Sequence, residues 1–201
     1  MKQSFTYQPG NILFLENEVN RGIYILCSGQ VKLSISSNGG RTLILEICKP
    51  GDVIGLASTL AGIPYEASAE VLQSSSITFL HREDVLRLCK IHPDFSASVV
   101  RQLGLQYSGA CEQLRVVGLS ASAPQKMARL LLSWSHGGRR TEEGIKVNVP
   151  LTHEQMAECV GSTRETVTRT LSDFKRKRLI SLRGATVLIP DLAALEAVGG
   201  A

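Results

Sequence analysis

The chain has 201 residues, 43% of them hydrophobic, and a formal net charge of +4. That is enough apolar material for one large or two modest packed cores, while no apolar run reaches the roughly 18 residues needed to cross a bilayer, so no membrane-spanning helix is expected. The polar opening residues 1–6 lack a signal-peptide core, which points to a cytoplasmic protein. Five cysteines, at 27, 48, 89, 111 and 159, include no C-x-x-C pair. Neither a zinc site nor an iron-sulfur cluster has a basis in that spacing, no metal is expected, and most of the thiols read as small buried apolar residues. Cys111 stands apart as a candidate redox residue, because its helix is expected to lie near a partner chain.

From Phe5 to about Leu80 short β-rich runs alternate with turn residues. The expected strands are Asn11 to Leu15, Gly22 to Cys27, Gln30 to Ser36, Thr42 to Cys48, Glu70 to Leu72 and Ser76 to Leu80. Such spacing predicts an antiparallel roll or barrel, cupin-like in outline, over residues 1–93. Pro9-Gly10, Ser28-Gly29, Asn38-Gly39-Gly40 and Pro50-Gly51 mark its turns. Alternation in residues 31–35 and 43–47 supplies one buried face per strand. No Ser-His-Asp or Cys-His set has credible spacing, and no Gly-rich loop opens a helix onto a phosphate, so catalysis is not expected.

Residues 81–88 read as a short helix, His92-Pro93 as a break, and Asp94 to about Val117 as a long helix. Phe95, Val99, Leu103, Ala110, Leu114 and Val117, with Gln106 in line, recur at spacings of four and three. That is the seam of a two-stranded coiled coil, the competing reading being a helix packed on its own domain. Residues 94–121 are therefore expected to form a dimerisation helix and a hinge, the small-residue run 118–124 being the hinge. Ser122 and Gln125 form a capping box that opens the next helix, with Met127, Leu130, Leu131 and Trp134 as its core stripe. A charged loop is expected at 139–144, a strand at Lys146 to Val149, and a hairpin from residues 179–182 and 186–189 around Arg183-Gly184.

Between these lies the most informative run, 152–171. Thr152 with Gln155, and Ser162 with Glu165, are each a capping-box pair, which sets the starts of two short helices, and Gly161 permits the turn between them. Met156, Ala157 and Val160 face inward on the first helix, and Val167, Leu171 and Phe174 on the second. Arg164, Glu165, Thr168 and Arg169 share the opposite face. An arginine can donate two parallel hydrogen bonds to guanine O6 and N7, and a glutamate can accept from cytosine N4, so this face suits a G·C-containing half-site in duplex DNA. Alone it would read as a solvated helix surface. From Ser162 to Arg183, however, seven Lys or Arg face two acidic residues, and the cut at Ala121 leaves ten basic and ten acidic residues before it and twelve against eight after it. The whole net charge lies in the half that carries the two-helix unit. Element order makes residues 122–201 a winged helix-turn-helix domain and the chain an α+β protein.

In this order the roll, long helix, hinge and winged reader resemble the cyclic-AMP receptor protein and fumarate-nitrate-reduction regulator family, CRP/FNR, across nearly the whole chain. Residues 160–169 (Val-Gly-Ser-Thr-Arg-Glu-Thr-Val-Thr-Arg) are similar to the family's recognition-helix signature, and Leu179-Ile-Ser181 to the segment that opens the wing. The resemblance implies that Arg164, Glu165 and Arg169 read bases of a TGTGA-like half-site. It places His153, Thr163, Thr166, Thr168 and Arg183 near phosphates. It further implies a homodimer on a palindromic operator, contact with RNA polymerase, and a roll built like a cyclic-nucleotide-binding domain.

The roll departs from the pattern where cyclic nucleotide would bind. Leu56 occupies the glutamate position, and the arginine position falls on Glu66, or on Ala67 if the alignment slips by one. Loss of such a buried charge-assisted pair costs about 3 to 5 kcal/mol, so cyclic-nucleotide binding is expected to be absent. No cysteine precedes Cys27 to hold an oxygen-sensing cluster. No cofactor is expected, although His81, His92 or Cys89 leaves haem ligation open. Two readings remain beside a signal-responsive regulator: a ligand-independent DNA-binding regulator with a vestigial roll, and a cupin-like enzyme fused to a DNA-binding module, which the absence of histidine before His81 disfavours.

Overall fold

The computed structural model describes residues 3–200, which divide into two compact units between Cys111 and Glu112. The first is an antiparallel roll. Its strands are β1 (Gln3–Tyr7), β2 (Ile12–Phe14), β3 (Gly22–Ser36), β4 (Thr42–Cys48), β5 (Val53–Ile54) and β6 (Ser68–His81), joined by the short helix α1 (Leu56–Ala61) and followed by α2 (Arg82–Ile91). The main path of the sheet runs β1-β6-β3-β4, with β2 also on β6 and β5 also on β3. Where two strands were expected on either side of Ser28-Gly29, one continuous strand runs, because register shifts between Leu26 and Val31 absorb the turn residues into bulges against β6. Gly29, at φ +93°, lies so close to β6 that a Cβ would sit 2.1 Å from Ser75 Oγ. The two expected runs at 70–72 and 76–80 are likewise one strand, and β1, β5 and α1 were not anticipated.

Strand β4 buries Ile44 and Cys48, two positions on either side of Glu46. A register shift opposite Leu33 and Ser34 leaves Leu45 unpaired, and Leu45 is 37% exposed. Beyond that shift Val31 pairs with Cys48 and Leu33 with Glu46, so Glu46 shares the inward face of Cys48. Val31, Leu33 and Cys48 belong to the core around Leu26, Ile54, Tyr65, Ala69 and Val71.

Helix α3 (Pro93–Leu114) continues into a π-helical turn, Arg115–Leu119. The N-terminal half of its expected dimer seam meets the roll of its own chain, half-buried. Phe95, Val99 and Leu103 pack on the roll's own cluster of Ile23, Leu56 and Val85, and Gln106 Nε2 donates to the Val53 carbonyl at 2.8 Å. The roll needs an apolar lid over that cluster, and this stripe provides it. Of the remaining seam positions Ala110 and Leu114 are exposed and Val117 is half-buried. A second stripe, one position round the helix, is left uncovered: Val100, Tyr107 and Leu114 are 68%, 73% and 66% exposed. Between them at the intervening heptad positions stand Ala97, Gly104, Cys111 and Gly118.

The second unit packs α4 (Ala123–Ser135), α5 (His153–Val160) and α6 (Arg164–Arg176) with a four-stranded sheet of order β7-β8-β10-β9. Those strands are β7 (Arg139–Thr141), β8 (Gly144–Asn148), β9 (Ser181–Arg183) and β10 (Thr186–Ile189). The expected charged loop at 139–144 is thus a hairpin. A final helix, α7 (Leu192–Gly199), capped by Asp191 and held to α4 by Arg129 Nε on the Gly199 carbonyl at 2.8 Å, was not anticipated. Among the described residues no helix is long and apolar enough to cross a membrane.

Candidate nucleic-acid interface

Helix α5 opens on Thr152, whose hydroxyl accepts from the Gln155 amide while the Gln155 side chain accepts from the Thr152 amide. Gly161 closes it in the left-handed conformation, φ 59° and ψ 46°, which a residue without a Cβ adopts freely. The start of α6 differs from expectation. Its cap is Thr163, which accepts from the Thr166 amide at 3.3 Å, rather than Ser162. Ser162 is occupied one step earlier, its amide donating to the Ala157 carbonyl at 3.0 Å to finish α5. Moving the cap by one relieves Glu165 of reciprocal capping and leaves it in the first turn of α6.

Val167, Thr170, Leu171 and Phe174 bury the inner face of α6. Arg164, Glu165, Thr168 and Arg169 are all exposed on the other side, so the structure brings together the three residues expected to read bases. Its own backbone amide and the Thr163 hydroxyl hold the Glu165 carboxyl below the usual carboxylate range, with Arg164 and Arg169 adding to the effect. An ionised carboxylate is an acceptor only, the state a cytosine amino group requires. Arg169 Nη2 lies 3.5 Å from Thr166 Oγ1, and Thr166 Oγ1 lies 3.0 Å from Thr163 Oγ1. These contacts hold the arginine on its own helix face without neutralising it.

Of the expected phosphate contacts, His153 Nδ1 and Thr168 Oγ1 share a 2.9 Å hydrogen bond that ties the start of α5 to the middle of α6. Thr163 is exposed and Thr166 half-buried at the start of α6, and Arg183 is exposed on β9 of the wing. The basic run after α6 is not uniform. Asp173 takes ion pairs from Arg176 and from Lys177, the latter at 2.9 Å, and those cations hold its carboxyl below the usual range. Lys175 and Arg178 form no ion pair among the described residues, which separates them from their neighbours in a way composition could not. Within the second unit Gln113 Nε2 donates to the Cys159 carbonyl, in the last turn of α5, at 2.7 Å.

The positions expected to form a cyclic-phosphate pocket do not form one charged set. Leu56 is buried in the cluster under α3, Ala67 is buried, and Glu66 is exposed. Tyr65 stacks on Phe14 at 3.7 Å between ring centroids and donates its hydroxyl to the Gly22 carbonyl at 2.8 Å. His81 and His92 are exposed and Cys89 half-buried, and the three do not gather into a group able to hold a metal among the described residues.

Residues 125–198 match the model described as a Crp-like helix-turn-helix domain, and residues 4–92 match the cyclic nucleotide-binding domain. The transcriptional activatory protein AadR of Rhodopseudomonas palustris is 30% identical over 192 residues, 95% of this chain and 76% of that protein. The chain belongs to the CRP/FNR family of transcription regulators. This CRP/FNR regulator is also 29% identical, over 94% of its length and 84% of the relative's, to a CRP-like cAMP-activated global transcriptional regulator of Mycobacterium tuberculosis. A CRP-family transcriptional regulator of Thermus thermophilus superposes with a TM-score of 0.79 at 27% identity, covering 98% of this chain and 97% of that one. FixK2 from Bradyrhizobium japonicum shares the fold, with a TM-score of 0.88 at 20% identity over 100% and 98% of the two chains.

Proposed function

We propose that this regulator acts as a homodimer on a palindromic operator with TGTGA-like half-sites, each read by one copy of α6 in the major groove. The exposed row of Arg164, Glu165 and Arg169 on a helix whose other face is buried carries this reading. The uncovered stripe of Val100, Tyr107 and Leu114 supports the dimer: the three recur every seventh residue, and the small residues between them allow two helices to approach closely. Tyr107→Glu is expected to convert dimer to monomer in sedimentation with the circular dichroism unchanged, and to weaken operator binding. A variant that stays dimeric places the interface elsewhere.

Selection from random-sequence duplexes tests the function as a whole. The expected product is an inverted repeat whose half-sites lie about one helical turn, or a multiple of it, apart. Enrichment of an unrepeated site, or of none, contradicts the reading. The roll is proposed not to bind cyclic nucleotide, since Leu56 and Ala67 offer no charge to a cyclic phosphate. Calorimetric titration with micromolar affinity for cyclic AMP or cyclic GMP would overturn that. The filled Phe14–Tyr65 region favours a second reading, a regulator that needs no ligand. Full operator affinity after exhaustive removal of small molecules and metal ions would support that second reading.

A further inference from the structure

The inward turn of Glu46 leaves a problem that the roll's apolar packing does not solve. Glu46, Cys48 and Asp52 bring two carboxylates and a thiol within 4.8 Å of one another. Glu46 and Cys48 are neighbours on one face of β4, and Asp52 reaches them from the turn into β5, where its Oδ2 accepts from the Lys49 amide at 2.7 Å. Cys48 is 2% exposed, and its thiol meets its own backbone amide beside the two carboxylates. Glu46 makes no ion pair among the described residues; the nearest compensating charge, Lys49, is exposed on the turn.

We propose that Glu46, Cys48 and Asp52 form a binding site for a divalent transition-metal cation of the zinc type. One thiolate with two carboxylates is a mixed donor set suited to such a cation, and three protein donors leave a fourth tetrahedral position to water or another ligand. Magnesium and calcium, which take oxygen donors, gain nothing from the thiol. The electrostatics agree with the geometry. Burial pushes the Cys48 thiol well up, with Glu46 and Asp52 adding, and burial followed by Asp52 pushes Glu46 up, against a small opposing effect of Lys49. A bound dication removes that charge crowding: the metal–sulfur bond forms, the S–H bond breaks, and its proton leaves to water.

The site has a path to the rest of the molecule. Asp52 precedes Val53, whose carbonyl is the acceptor for Gln106 of α3, so a cation drawing Asp52 toward Cys48 bears directly on the helix anchor. This consequence rests on the regulator reading; the site itself does not.

Cobalt(II) titration of the full-length, chelator-stripped protein tests the site without reference to DNA. The expected result is one cobalt per chain with a near-ultraviolet thiolate-to-metal charge-transfer band, abolished by zinc, absent in Cys48→Ser and intact in Cys27→Ser. Glu46→Gln, nearly isosteric and on a half-buried side chain, is expected to fold as the parent does and to weaken cobalt binding on the order of tenfold or more. Absence of the band, its survival in Cys48→Ser, or unaltered affinity in Glu46→Gln would overturn the proposal.

Discussion

The reader and the roll place their charges in opposite ways. The reader carries Arg164, Glu165 and Arg169 outward on a helix that is apolar behind them, so each charge is solvated until a polyanion arrives. The roll turns Glu46 inward beside a buried thiol, where a carboxylate is costly without a partner. Recognition is therefore to be sought on the surface of the first and under the surface of the second.

The strongest perturbation of this contrast removes the packing behind the reading face. Phe174 is fully buried in the reader, and Phe174→Ala is expected to destabilise that unit by about 3 to 5 kcal/mol in denaturant unfolding, and to lower operator affinity although no DNA-facing side chain is touched. An unaltered midpoint would mean that α6 is held by something other than its apolar face. Gly29→Ala damages the roll instead. The strain of φ +93° and the clash with Ser75 are expected to cost about 3 kcal/mol, read as a lowered thermal midpoint, with nothing altered on the reading face itself. A neutral result would show that β3 and β6 can separate at this bulge.

A smaller effect isolates the inward charge. In metal-free protein the folded state holds the Glu46 proton more tightly than the unfolded chain does, so the stability linked to that proton is present in acid and is lost as pH rises. Glu46→Gln keeps the neutral form throughout. It is therefore expected to melt higher than the parent at pH 7, with the two converging below about pH 4, the ordinary glutamate range. An equal gain at both pH values would assign the effect to packing rather than charge.

What could be read from the sequence follows the same division. The Thr152–Gln155 and Ser122–Gln125 boxes and the Gly161 turn are decided by residues three or four apart, and the structure has all of them. That Arg164, Glu165 and Arg169 share the exposed face of one helix was legible because the period of that helix was. Even there the cap moved from Ser162 to Thr163, since the Ser162 amide was needed to end the preceding helix. The roll was legible as a roll, but not in its faces. Composition does not say that β4 sets Glu46 between the buried Ile44 and Cys48, nor that Leu45 is left exposed at an irregularity against β3. On α3 two apolar stripes lie side by side, and the sequence does not say that the roll covers one of them at Phe95, Val99 and Leu103; only the fold of the roll decides that. The grouping of Glu46, Cys48 and Asp52 is not legible in cysteine spacing or in the count of histidines. Asp52 comes to Cys48 through a turn, and that proximity is absent from any C-x-x-C count.

If α6 separates base reading from charge attraction, paired binding measurements on operator and random-sequence DNA will divide its residues into two groups. Arg169→Ala is expected to weaken operator binding by about 1 to 3 kcal/mol and relax preference at one base pair, while leaving random-sequence binding nearly unchanged. Lys175→Ala, which removes a cation held in no ion pair among the described residues, is expected to weaken binding to both DNAs alike and to flatten the salt dependence. Equal losses on the two DNAs for both variants would refute that separation.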